Sequence, residues 1–456
     1  MNIFTLLLFL LLIYQFIKFD LKKIYKYLLM ETIFFKLFCD IGLSIDLNFI
    51  SFRPYEILLY LLYIISIYII ITKTKLSKKQ MIILLVLIAL IILNNILLIL
   101  NPLNYKTVCL PYLWYDYFIN NIGVSPSFNR YVVIYDGYFI LFFLTLFAIF
   151  NYFTKKEIKE MFKKFIDISF KILLVIILAE VVIKLIYGET IFYQIRDSLF
   201  GVGADTSSIL ERGNLITIYG LCTEPSSLAL SLFYLSLGIL VSDKNLINIL
   251  KKYCVIFIIG FFTGSMLFYL LFVLLLFALL CRHIRHIIEL YNKYKNIFLS
   301  IFIILSLCIV VFLISNTGHY YIMRLVNIVN ILLEGKMDFN SETVRIYSSI
   351  EMIKIFFMRP LFGAGLGTTY GFSSLFSLLS NFGLIGIIVY MMGIKISLVN
   401  VNIKKIYYIL LVLLVSFMVH GSINTFVFPQ AIYIVMLILY ANEPEVYADD
   451  KEVCYE

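Results

Sequence analysis

The residues with the most specific chemistry in this chain are its arginines. Lys and Arg together number 37, of which only nine are arginine. Arginine offers a planar fork of donors that fits phosphate and carboxylate, which a lysine ammonium cannot copy. Seven of the nine (Arg53, Arg130, Arg196, Arg212, Arg324, Arg345 and Arg359) fall on one side of the lysine pattern described below. Only Arg282 and Arg285 fall on the other. This distribution predicts an anionic ligand, such as a diphosphate, on the arginine side. The competing reading pairs these arginines with the loop carboxylates Glu211, Glu342 and Glu351.

Proton-transfer candidates are few. Residues 212–227 read RGNLITIYGLCTEPSS and precede an apolar helix. Pro225, Ser226 and Ser227 suit a helix start, since proline fits the first turn. Glu224 then stands at the helix mouth. It is either an acid capping the helix dipole or a carboxylate able to take a proton from a hydroxyl. His420 lies about a helix length beyond Lys405 at roughly 1.5 Å per residue. It is either a proton acceptor or a packing histidine bonded to a carbonyl. Glu180 and Lys184, four apart on one helix, can neutralise each other. Asp136 lies near the end of its helix.

The stretch Pro360–Gly367 (PLFGAGLG) lacks both GxGxxG and a βαβ context, which excludes a dinucleotide site. Gly363 and Gly365 instead allow close backbone approach, to a neighbouring helix or to a ligand. Before it, Thr343–Met358 reads as a helix with Ile346, Ile350, Ile353 and Phe357 on one face, suited to the membrane surface. Ile355 falls on the opposite side.

The elements that must hold these residues are membrane helices. Of 456 residues, 62% are hydrophobic and 14% charged, and mean hydropathy is +0.99. Soluble domains average about 45–50% apolar and about 25% charged. The apolar residues come in blocks such as Ile82–Leu100, Ile297–Ile314 and Ile406–Val419, near the roughly 20 residues a span requires. No soluble domain boundary or repeat is visible, so residues 1–456 form a single membrane domain. The N-terminal run Ile3–Ile17 lacks a basic leader and a cleavage site, and is expected to be retained.

Lysine clusters recur at 18–26, 73–79, 155–164, 244–252, 282–295 and 404–405, the pattern of cytoplasmic loops. They account for the net charge of +9 without a nucleic-acid partner. Each pair of inner links needs an even number of crossings. Leu28–Ser44 must therefore span despite Glu31, Lys36 and Asp40, and Cys254–Cys281 must fold back near Thr263-Gly264-Ser265. The expected fold is an all-α polytopic membrane protein of about 12–13 helices. Residues 101–130, 188–225 and 316–372 become long outer loops, and 442–456 a cytoplasmic tail. Loops longer than about 12–15 residues are usually functional. Seven cysteines include no metal spacing. No metal or other cofactor is expected, and Cys109 and Cys222 are either a pair or unpaired fillers.

Two motifs resemble a known family. Arg212 followed by Gly220-Leu221-Cys222-Thr223-Glu224-Pro225-Ser226 resembles the "R…GLFxEPS" pattern of O-antigen polymerases. Arg345 followed by Arg359-Pro360-Leu361-Phe362-Gly363-Ala364-Gly365-Leu366-Gly367 resembles the "R…hPlfGxGxG" segment of the wider polymerase and ligase superfamily. Phe382-Gly383-Leu384-Ile385-Gly386 and the Thr263-Gly264-Ser265 turn are also similar to segments of that superfamily. The motifs cover about a sixth of the chain. The ligase branch carries a histidine where this chain has Phe372, which favours the polymerase; His319 and His420 are the substitutes.

The resemblance implies metal-independent glycosyl transfer at the outer leaflet of a bacterial inner membrane, from undecaprenyl diphosphate to a hydroxyl of another lipid-linked repeat unit. Its partners would be lipid-linked oligosaccharides, membrane lipids and a chain-length regulator. Arg212, Arg324 and Arg345 would hold the diphosphate with Gly363 and Gly365 beside it, and Glu224 or His420 would handle the proton. The alternatives are ligase-type transfer and a polysaccharide flippase, although a transporter should show matched halves with polar mid-membrane sites.

Overall fold

The computed structural model describes residues 3–39, 45–46, 51–108, 123–200, 217–293, 341–398, 401–422 and 424–442, with isolated positions between them. Helices make up 82% of it. In chain order they are α1 (Ile3–Lys18), α2 (Leu21–Phe38), α3 (Pro54–Thr72), α4 (Lys78–Leu100) and α5 (Arg130–Tyr152). Then come α6 (Lys155–Tyr187), α7 (Glu189–Phe200), α8 (Pro225–Ser242), α9 (Leu246–Phe262) and α10 (Met266–Lys293). The last are α11 (Ser341–Met358), α12 (Ser374–Ser397), α13 (Ile403–Val419), the single turn α14 (Asn424–Val427) and α15 (Pro429–Ala441). Ile45–Asp46 and Ser51–Phe52 form a short antiparallel pair.

Six of these helices are long and apolar enough to cross a bilayer: Pro54–Thr72, Lys78–Leu100, Arg130–Tyr152, Pro225–Ser242, Met266–Ile284 and Ser374–Ser397. The chain is a multi-pass α-helical membrane protein. Helix starts are written in the sequence. Asp20, Asn129 and Asn245 accept N-terminal amides through their side chains. Ser77 with Gln80 and Thr154 with Glu157 form reciprocal capping boxes. Proline opens α3, α8 and α15.

Between α8 and α4, hydropathy and burial run in opposite directions. Helix α8 has mean hydropathy 1.6 and is 83% buried, whereas α4 reaches 3.2 and is 39% buried. A lipid-facing helix must be apolar, while a central one can carry hydroxyls that are satisfied internally. Ser231 and Ser236 of α8 donate to the carbonyls of Ser227 and Leu232, 2.9 and 2.7 Å away.

The lysine-rich links gather at one end of the bundle. Lys22 meets Glu157 at 2.6 Å and Lys252 meets Asp167 at 3.2 Å. Gln80 joins Asn151 at 3.1 Å, and the Asn402 amide donates to Asn442 Oδ1 at 2.7 Å. At the opposite end, α9 turns into α10 at the residues anticipated. Gly264 has φ +59, and Thr263 Oγ1 donates to Gly260 O at 2.6 Å while accepting from the Ser265 amide at 3.2 Å.

The charged helix predicted at 28–44 is α2 as far as Phe38; Asp40 lies outside the described residues. Its charges are accommodated within the protein. Glu31 accepts from Gln15 of α1 at 2.5 Å. The Lys36 ammonium sits over the Tyr55 and Phe428 rings, 4.4 and 5.2 Å from their centroids. Segment 188–225 contains α7 and segment 316–372 contains α11. The apolar block 297–314 lies outside the described residues except for Ile314.

Candidate functional site

Residues 217–224 run between α7 and α8 into the end of the bundle opposite the lysines. Their backbone groups are gripped from several sides. The Ile218 amide donates to Phe262 O at 2.9 Å, and Leu221 bridges Cys39 at the end of α2. The Tyr219 and Gly220 amides donate to Glu180 Oε1 and Oε2 at 2.9 and 2.6 Å. Lys184, 2.7 Å from Glu180, donates to Thr217 O. Arg196 Nη1 donates to Cys222 O at 3.1 Å, with its guanidinium 5.1 Å from the Tyr193 ring centroid. Glu224 then begins α8. It is exposed, and its Oε2 accepts from Ser226 Oγ at 2.9 Å. A carboxylate there faces the positive end of the α8 dipole.

Three sequence candidates from distant segments converge at this end. The charges of Glu224 and of Arg345 on α11 both act on Tyr370, and Arg345 acts on His420 at the end of α13. Burial raises the Tyr370 phenol and the Glu224 charge adds to the rise, while a hydrogen bond with Ser422 and the Arg345 charge oppose it. Burial and then Arg345 hold the His420 imidazole down at about 3, against an ordinary 6.5. The Arg345 guanidinium also lies 5.8 Å from the Phe372 ring centroid. Phe372 thus gives the arginine an aromatic face.

His420 is therefore neutral at neutral pH. A general base works best with a pKa near the working pH, so His420 is poorly suited to that role. The His420 carbonyl accepts from Ser374 Oγ at 2.9 Å, and its Nδ1 is buried without a hydrogen-bond partner. A neutral imidazole with a spare acceptor can orient a hydroxyl.

The glycine stretch builds the wall behind this cluster. Helix α12 breaks at Gly383 (φ +65, ψ −178). Residues 360–365 lie against the break. Leu384 and Ile385 amides donate to Pro360 and Leu361 carbonyls at 2.9 and 3.1 Å. Ala364 and Gly365 amides donate to Ser380 and Asn381 carbonyls at 2.7 and 2.9 Å. A Cβ on Gly363 would stand 2.6 Å from the Asn381 carbonyl, and one on Gly365 2.3 Å from Leu98. Of the two close approaches expected for Gly363 and Gly365, the one found is to neighbouring helices. Tyr370 is held separately, its amide donating to Val108 O at 2.7 Å.

Helix α11 turns its polar side inward. Thr343, Ser348, Glu351, Met352 and Ile355 are buried, whereas Ile350 and Phe357 are 37% and 72% exposed. Ile355, off the apolar stripe, thus packs on protein, while Ile350 and Phe357 of the stripe face outward and Ile346 and Ile353 are half-buried. Of the carboxylates considered as arginine partners, Glu351 takes Lys354 at 2.9 Å and the Tyr117 hydroxyl at 3.2 Å, together with the Tyr105 hydroxyl. Burial, then Glu351, push Tyr117 up to about 12.

The remaining sequence candidates separate. Arg196 is 2% exposed and serves the backbone. Arg130 donates to the Tyr131 hydroxyl at 2.9 Å. Asp136 is buried against Asn95 at 2.8 Å. Cys222 Sγ donates to Phe38 O at 3.7 Å, while Cys109 lies outside the described residues, as do Arg212, Arg324 and Glu211. Sequence reasoning missed Tyr370 and Ser422; the available signal was a tyrosine among small residues, GTTYG. No family model matches the chain, and no curated protein matches it in sequence.

Proposed function

We propose that this chain polymerises lipid-linked polysaccharide repeat units, of O-antigen or capsule, at the outer leaflet of a bacterial inner membrane. The lysine end lies in the cytoplasm by the positive-inside rule. The Glu224 end and segments 101–130, 188–225 and 316–372 then lie outside, carried by about 12–13 spans. The observation that supports this reading is the electrostatic linkage of Glu224 and Arg345 through Tyr370, and of Arg345 with His420. A carboxylate, a guanidinium and a neutral imidazole at one membrane boundary suit transfer from a diphosphate to a hydroxyl.

In this reaction the acceptor hydroxyl oxygen bonds to the anomeric carbon of the donor glycan, and the bond from that carbon to the phosphate oxygen breaks. Undecaprenyl diphosphate leaves with the bonding pair. Arg345, with Arg212 and Arg324 from the neighbouring segments, neutralises its charge. Glu224 takes the hydroxyl proton, a role worth about 10²–10⁴-fold, and His420 Nδ1 orients the hydroxyl. The chemistry needs no metal, and a chain-length regulator is the expected protein partner.

The test is reconstitution in vesicles with lipid-linked single repeat units extracted from the producing cell. The reading expects a ladder of longer lipid-linked glycans with release of undecaprenyl diphosphate. Transfer only onto a non-identical acceptor would make the chain a ligase. Movement of units across the bilayer without lengthening would make it a flippase.

A further inference from the structure

The pair Glu180–Lys184 does more than cancel charge. Both residues are buried, at 0% and 5% exposure, Glu180 about two turns and Lys184 about one turn from the end of α6 at roughly 3.6 residues per turn. An ion pair that only neutralised itself would need no other partner. Here each member also takes a backbone group of the segment leading to Glu224. The carboxylate accepts the Tyr219 and Gly220 amides at 2.9 and 2.6 Å, and the ammonium donates to Thr217 O.

Backbone groups drawn into a helix bundle without water must find partners in the protein. Two successive amides point to one carboxylate, and Gly220 at φ +60 supplies the backbone conformation, as in anion-binding nests. The rings of Phe192, Tyr193 and Tyr219 surround the Lys184 ammonium at 4.9, 5.1 and 5.1 Å and help hold it beside the carboxylate, 2.7 Å away. From Gly220 the chain has only Leu221, Cys222 and Thr223 before Glu224, and Arg196 pins Cys222 O.

We propose that Glu180 is a positioning residue: through its two amide hydrogen bonds it holds residues 217–223 in the conformation that sets Glu224 at the start of α8. The inference rests on the reading of Glu224 as the proton acceptor, and it concerns the anchor of that residue. A displacement of about 1 Å at a reacting group can cost about 10²-fold in rate. Lys184, 2.7 Å away, supplies the counter-charge to the carboxylate.

The experiment uses the full chain in nanodiscs and compares wild type with Glu180→Gln, Glu180→Ala and the double variant Glu180→Lys with Lys184→Glu. The double variant keeps a neutral pair but removes the acceptor at position 180. Hydrogen exchange across peptide 217–223 should be about tenfold faster or more in Glu180→Ala and in the double variant, with α8 unchanged. Glu180→Gln, which keeps one acceptor oxygen, should fall between. Turnover of lipid-linked units should drop about 10- to 100-fold in the same order with donor KM within about twofold, as expected for a misplaced reacting group. Recovery of both protection and turnover in the double variant would overturn the proposal, since charge cancellation would then suffice. So would unaltered exchange in Glu180→Ala. A wild type that lengthens no glycan would remove the role of Glu224, whereas the exchange measurement needs no substrate and decides the anchor separately.

Discussion

Replacing Gly383 with alanine should unfold the wall behind the candidate site. Its φ of +65 and ψ of −178 lie in a region essentially confined to glycine, and a side chain held there costs about 1–3 kcal/mol. The added Cβ would stand 2.5 Å from Leu361 O and 2.6 Å from Gly363 N. Both are backbone atoms, so relief requires the 360–365 segment to move. That movement strains the four amide hydrogen bonds joining it to α12. Losing two of them adds about 2 kcal/mol at about 1 kcal/mol each, for a total of about 3–5 kcal/mol. The control is Gly137→Ala in α5, where a Cβ meets nothing within 4 Å and the gain in helix propensity is about 0.5–1 kcal/mol. Thermal melting of the full chain in one detergent should show a clear fall for Gly383→Ala and none for Gly137→Ala. A Gly383→Ala protein melting with wild type would refute the reasoning that the break is held by this loop.

Three further outcomes follow from the same geometry. His420 is held at about 3 in the fold against an ordinary 6.5, so the unfolded chain takes up the proton first. Its contribution to stability is complete above about pH 6.5 and declines toward pH 3, by at most about 1.4 kcal/mol per pH unit; melting across that window should fall less steeply in His420→Gln. Arg345→Ala should cut glycan transfer about 10²–10³-fold, and Arg345→Lys should remain well below wild type because the planar fork is lost; wild-type kinetics in the lysine variant would remove the bidentate role. Tyr105→Phe deprives buried Glu351 of a donor and should cost about 1–3 kcal/mol, read as a lower melting temperature.

The helices were legible because lipid selects apolar blocks and water selects the lysine links. The Thr263-Gly264-Ser265 turn was legible because parity required a reversal there, and glycine with two hydroxyl residues can satisfy it. Glu224, Arg345 and His420 were legible as types at helix ends. Their meeting was not, since it depends on how α8, α11 and α13 are packed. The orientation of α11 follows the same rule: its apolar stripe is written in the sequence, but which side protein covers depends on Tyr105 and Tyr117 reaching Glu351. Glu180 and Lys184 were visible as a spaced pair, whereas the amides of Tyr219 and Gly220, 39 and 40 residues away, carry no sequence signal. The break at Gly383 was hidden because glycine inside an apolar run is common in membrane helices.

The most direct test of the polymerase reading is the glycan banding pattern of cells lacking this gene, complemented with wild type, Glu224→Ala or Arg345→Ala. The account predicts that the deletion loses the ladder and keeps a single attached repeat unit. Wild type should restore the ladder, while neither variant does so at equal membrane abundance. A full ladder from both variants, or an unchanged ladder in the deletion, would contradict it.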